Sequence, residues 1–214
     1  MGISSWFKNL FRSEPDRPES LPREKTAAPP RPKFHVPTIK ANMLVAEATR
    51  WVGIRESGGN NSGQMVRKFQ EAVDGKAVGE PWCLSFAQFC IIAVEDLSFA
   101  MGIRELRQSP GHVYPTEHCL TLWNNTPEEH RSKNPVRGGL VIWQYMNKDG
   151  KGTSSGHVGI VTRTNADGTF DTIEGNTSVS GTNVNREGDG VAEKNRSPRG
   201  AGRMKVKGFI RIWV

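Results

Sequence analysis

The chain has 214 residues, 36% of them hydrophobic and 24% charged, which suits one globular domain with a tail and requires neither an oligomer nor a stapled mini-fold. Lys and Arg number 29 against 22 Asp and Glu, and the net charge of +7 favours polyanions such as nucleic acid, anionic lipid or an acidic cell-wall polymer. Cys83, Cys90 and Cys119 are odd in number and unevenly spaced, which excludes a disulfide framework and fits a reducing compartment during folding.

Residues 1–12 place Ile3, Trp6, Phe7, Leu10 and Phe11 on one helical face. Such a segment would lie on an anionic membrane surface or dock on a delivery partner, or else pack as a frayed tail. Residues 13–40, with prolines from Pro15 to Pro37 among charges, read as a semi-extended linker. The excess positive charge is concentrated in this arm. No apolar run predicts a membrane span and no secretory leader is apparent, so the chain is expected to be made in the cytoplasm without a signal peptide.

A domain over 41–214 is predicted to begin with a helix carrying Met43, Leu44, Ala48 and Trp51, broken at Gly58-Gly59-Asn60-Asn61. A second helix follows Ser62 as N-cap, buries Met65, Val66, Phe69 and Val73, and ends at Asp74-Gly75. Pro81 opens a third, with Trp82, Phe86, Phe89 and Val94 inward and Cys83 in its first turn. After a poorly patterned middle, 139–145, 157–163 and 169–175 read as strands, 176–205 as a long loop and 209–214 as a closing strand. Helices first and an antiparallel sheet second predict an α+β domain.

A helix N-terminus favours thiolate over thiol, and Cys83 has that position. Cys90, deeper in an apolar helix, reads as an inert buried thiol, and Cys119 has no activating setting. A four-residue turn over 164–167 with Gly168 left-handed would set Arg163 opposite Gly168 and His157 opposite Glu174, with Asn176 on the same face. The carboxylate would then hold one imidazole nitrogen and leave the other for the thiol. Gly152-Thr153-Ser154-Ser155-Gly156 matches a serine nucleophile elbow but leads into a strand where that motif needs a helix. Cys90, His112, His118 and Cys119 lack zinc-ligand spacing.

Pro81-Trp82-Cys83-Leu84-Ser85-Phe86, Gly156-His157-Val158-Gly159-Ile160-Val161 and Ile173-Glu174-Gly175-Asn176 resemble the three signatures of the CHAP family of cysteine, histidine-dependent amidohydrolases and peptidases. Gly53-Ile54-Arg55-Glu56 upstream and Gly188-Asp189-Gly190-Val191 downstream are similar to a phage- and prophage-associated branch. The resemblance implies a papain-like fold, with N-terminal helices packed on the sheet. It implies Cys83 as nucleophile, His157 as general base and then acid, and Glu174 with Asn176 orienting the imidazole. Activity would rise with pH as thiolate and neutral imidazole form. The implied function is peptidoglycan amide hydrolysis, by a phage lytic enzyme or a delivered antibacterial effector, acting as a monomer at the cell wall without cofactor, metal or nucleic acid. Ala77 stands where papain has its oxyanion glutamine, so a second oxyanion donor stays unassigned. A protease or amidase on another peptide, and an inactive membrane-targeting protein, are the alternatives.

Overall fold

Apolar residues at helical and strand periods must each find a partner surface, and here three helices cover one side of a sheet. The computed structural model describes residues 35–108, 111–179 and 188–214. The amphipathic segment and nearly all of the proline-rich linker lie outside these residues. The first helix, α1 (Val36–Thr49), starts inside the stretch read as linker, with Pro37 in its first turn, where a missing N–H costs nothing. Lys40 in that turn is fully buried and donates to Glu95 Oε2 at 2.7 Å. Glu95 Oε1 in turn accepts the Gly111 N–H and the Trp213 indole N–H.

Helix α2 (Gln64–Asp74) is capped by Gly63 rather than Ser62 and ends at Gly75, which takes the left-handed conformation expected of a C-terminal glycine. Helix α3 (Cys83–Ala100) begins at the cysteine itself, with Trp82 as N-cap. It has the length and hydropathy of a membrane span, but more than half of it is buried inside the domain, between α1, α2 and the sheet. Phe69 of α2 is its anchor, within 5.1–5.7 Å of the Trp51, Trp82, Phe86 and Phe89 rings. Each such side chain contributes about 1.5–3 kcal/mol on burial. The unpatterned middle holds two short helices, α4 (Arg104–Arg107) and α5 (Cys119–Asn125).

The strands are β1 (Arg131–Ser132), β2 (Leu140–Met146), β3 (Gly152–Thr164), β4 (Phe170–Thr177), β5 (Gly190–Arg196) and β6 (Met204–Ile210). They form an antiparallel sheet in the order β1-β6-β2-β3-β4-β5. The predicted strands are present in β2, β3 and β4. The stretch read as a loop instead contributes β5, and the last strand ends at Ile210 rather than running to Val214. Residues Gly53 to Glu56 bond to Asp189 and Val191 of the β5 segment and cover part of its edge. One face of the sheet meets the helices through Ile142, Val158, Ile160 and Ile173. The other has its own apolar cluster of Val141, Trp143, Val161, Phe170, Met204 and Phe209.

The β3–β4 register differs from the one predicted. Gly168 does take a positive φ of 83°. The ladder, however, pairs Thr164 with Phe170 and Arg163 with Asp171, then shifts at a bulge before Val161 pairs with Thr172 and Ile160 with Ile173. Arg163 is therefore not opposite Gly168. His157 has its ladder partner in β2, where it pairs with Trp143.

Candidate active site

The dipole of α3 points its positive end at the side chain of its first residue, Cys83, which is 7% exposed at the floor of a cleft of about 300 Å³. Two glycines bring that helix end to the sheet. A Cβ on Gly175 of β4 would stand 2.7 Å from Phe86 Cβ and 2.9 Å from Trp82 Cζ3, so only glycine lets the first turn of α3 lie on the strand. On Gly156 it would stand 3.0 Å from Cys119 Cβ, which admits α5 beside β3. The Trp82 indole donates to Glu56 Oε1 at 2.8 Å, and Glu56 Oε2 accepts the Asn61 N–H at 2.9 Å. Glu56 thus fixes the residue before Cys83 and one wall of the cleft.

His157 projects from β3 into the same cleft as Cys83, near enough for each group to shift the protonation of the other. Its Nε2 is bonded to Glu174 Oε2 at 2.9 Å, which leaves Nδ1 as the nitrogen for the thiol. Glu174 is 1% exposed, yet its carboxylate makes five hydrogen bonds to four side chains. Oε1 accepts from Arg196 Nε at 2.7 Å and the Thr172 hydroxyl at 2.5 Å. Oε2 accepts from Arg196 Nη2, His157 and, at 3.4 Å, the Thr177 hydroxyl. Burial pushes this carboxyl up, but the Arg196 and His157 bonds and charges more than reverse it and hold it well below the usual range.

The thiol and imidazole polarise each other. A hydrogen bond from Cys119 favours the Cys83 thiolate, burial opposes it, and the His157 bond and charge join Cys119 to hold the thiol well below its ordinary value. Burial disfavours the imidazolium, while hydrogen bonds from it to Cys83 and Glu174 outweigh that cost and raise His157 to about 9. Cys119 Sγ is 3.7 Å from Cys83 Sγ, and this contact together with burial keeps Cys119 itself protonated. These shifts favour a thiolate–imidazolium pair backed by a carboxylate. Cys90 is fully buried in the helical core, where desolvation raises its pKa, as its position in the sequence implies.

Asn176 lines the cleft in a left-handed conformation, φ 48°, at the point where the β4–β5 register shifts. It forms no hydrogen bond to His157, and its buried Oδ1 has no partner among the described residues. Among the described residues, Glu174 makes the side-chain hydrogen bond that orients the imidazole. Trp143 stacks on it from below, with ring centroids 5.6 Å apart. Among the described residues no group of three or more His, Cys, Asp or Glu is arranged to hold a metal ion.

Sequence reasoning missed Arg196, hidden in a stretch read as solvated loop, and Cys119, which lies in the unpatterned middle. It missed Trp143 as well, although pairing the predicted strands 139–145 and 157–163 would have found it.

A thiol at a helix N-terminus facing a strand-borne imidazole across an antiparallel sheet defines a papain-like α+β domain. Residues 75–176 match the CHAP domain family, a class of amidase and peptidase hydrolases, and the match contains Cys83, Cys119, His157, Glu174 and Asn176. No curated protein and no solved structure matches the chain with significance.

Proposed function

We propose that this protein hydrolyses an amide bond of bacterial peptidoglycan through a Cys83 acyl-enzyme. The observation that carries the reading is the Cys83, His157 and Glu174 array at the floor of an open cleft. The Cys83 thiolate attacks the amide carbonyl, and the oxyanion that forms accepts the Cys83 backbone N–H, which the helix ladder leaves unclaimed. As the tetrahedral species collapses, His157 gives its proton to the departing amine and the C–N bond breaks. The neutral imidazole then takes a proton from water, which attacks the thioester and releases the acid. Glu174 holds the ring through both steps.

Peptidoglycan as substrate is supported by the CHAP match and by the net charge of +7, which suits an acidic polymer. The bond is the N-acetylmuramoyl-L-alanine amide or one within the peptide stem or crossbridge. The biological setting we favour is a phage or prophage lytic enzyme, or an antibacterial effector delivered to the wall. In either setting residues 1–12 would engage an anionic membrane or a delivery partner. Mass spectrometry of digested peptidoglycan tests the reading: new amino termini with intact glycan strands are expected, and none with Cys83→Ala. New reducing ends without new amines would overturn it.

A further inference from the structure

Papain-like chemistry needs a group that orients the imidazole, and here that group is a charged carboxylate out of contact with solvent. A Cys83 thiolate, a His157 imidazolium and a Glu174 carboxylate together carry one uncompensated negative charge. All three are nine-tenths or more buried. An unpaired buried charge is costly unless a partner neutralises it. Arg196 of β5, 8% exposed, is placed to do so, with Nε on Glu174 Oε1 at 2.7 Å and Nη2 on Oε2. Its guanidinium lies 5.6 Å from the centre of the Trp143 ring, the same ring that stacks on His157. One indole thus packs against both cations that flank the carboxylate.

Of the other titratable groups near this array, Glu80, Glu117 and His118 line the cleft without bonding to Glu174. Lys194 adds positive charge nearby, but Arg196 is the cation that grips the carboxylate beside His157. Tyr145 on β2 is pushed up to about 12 by burial and by the Cys83 and Glu174 charges, so it stays neutral. Cys119 on α5 stays a thiol. Lys194, the second cation of β5, gives its ammonium to the Ser178 carbonyl. Arg196 also lies outside the residues matched by the CHAP family, 75–176.

We propose that Arg196 is a positioning residue that balances the charge of the buried array, holding Glu174 ionised and aimed at His157 so that thiolate and imidazolium coexist out of water. Arginine and glutamate then act as one neutral orienting unit. The proposal rests on the reading of Cys83 as the nucleophile.

The test follows the pH dependence of Cys83 alkylation by iodoacetamide in the full chain, read by mass spectrometry of the Cys83 peptide. Amine release from peptidoglycan and thermal melting are measured alongside. In R196M the alkylation midpoint should rise by about one pH unit or more, because an opposite charge has been lost near the anions. Amine release should fall about tenfold or more. R196K keeps the charge and should hold the midpoint within about half a pH unit of wild type. E174Q/R196M removes one charge of each sign and should bring the midpoint back toward wild type. A folded R196M with the wild-type midpoint overturns the proposal. So does a double variant whose midpoint stays displaced by a unit or more, or one that does not fold, and these outcomes decide the matter even if R196M itself fails to fold. The expected shifts in a protein that never releases amine would support the role of Arg196 while refuting peptidoglycan as substrate.

Discussion

Glu174 reaches His157 diagonally, across Gly159. The bulged hairpin gives the two residues no direct cross-strand pairing, and a Cβ on Gly159 would stand 2.8 Å from Glu174 Cγ and 3.3 Å from Trp143 Cη2. The glycine two residues after the histidine is the opening through which the carboxylate passes. Gly159→Ala should therefore displace Glu174 and cost about 1–3 kcal/mol by overpacking. Turnover should fall by about 10²-fold, the penalty for a catalytic group moved by an ångström. Thermal melts and amine-release rates check this, and wild-type turnover in the alanine variant would show that the carboxylate has another route to the imidazole.

The two cysteines of α3 should separate cleanly. Cys83→Ala is expected to fold and to release no amine, because it removes the thiol at the positive end of α3. Cys90→Ala keeps full activity and loses about 1 kcal/mol, the common cost of a small change in the core. Chemical denaturation and a peptidoglycan assay distinguish them. Hydrolysis by Cys83→Ala would remove the acyl-enzyme from the mechanism.

Glu174→Gln should lower turnover by more than about tenfold, since the imidazolium loses its counter-charge. At an exposed site, exchanging a carboxylate for an amide would leave folding nearly unchanged. The Arg196 contact changes that expectation, because a guanidinium 8% exposed is left without its carboxylate. Removing one partner of a buried pair costs on the order of 3 kcal/mol. A melting temperature equal to that of wild type would mean that Arg196 finds another anion.

The pH dependence follows from the shifted groups of the array, Glu174, His157 and Cys83. Glu174 is held well below 4.5, so its contribution to stability is complete above that value and is lost as pH falls beneath it. His157 is raised from 6.5 to about 9, so its contribution is complete below 6.5 and is lost as pH rises through about 9. Cys83 is held well below 9.0, so its contribution grows with pH and offsets the His157 loss. The melting temperature should be highest between about 6.5 and 9, fall on the acid side as Cys83 and then Glu174 are protonated, and fall above 9 as the buried Cys90 and Cys119 thiols are forced to ionise. Because the thiolate forms alongside imidazolium, kcat/KM should reach its plateau well below the ordinary thiol range and fall through about 9, instead of climbing as neutral imidazole forms. A rate that continues to rise beyond that point, as for an ordinary thiol, would rule out a resting ion pair.

Much of this site was legible in the sequence because Cys83, His157 and Glu174 each sit in a short segment whose own pattern sets its conformation. Pro81 marks the start of a helix, and alternation marks the two strands. The expected contact between His157 and Glu174 exists, but the register used to derive it does not. A bulge between Val161 and Arg163 leaves no mark on alternation, and side-chain length across Gly159 makes up the difference. Asn176 was placed at the cleft and not in contact with the ring, because a left-handed residue breaks the two-residue period. Arg196 was out of reach for a different reason. Charged residues near a chain end read as solvated, and only strand pairing shows that this one turns inward onto Glu174.

Lys40 sets where the N-terminal arm can be cut away. Its ammonium is fully buried against Glu95, and Glu95 also holds Gly111 and the indole of Trp213, so a residue on the arm's side of the predicted boundary fastens the end of the chain. A chain shortened to 41–214 loses that fastening together with the first turn of α1, and should melt lower than one shortened to 35–214. Any activity lost on the longer deletion then reports a damaged catalytic domain. The biological contribution of the arm can be read only from a protein that keeps residue 40.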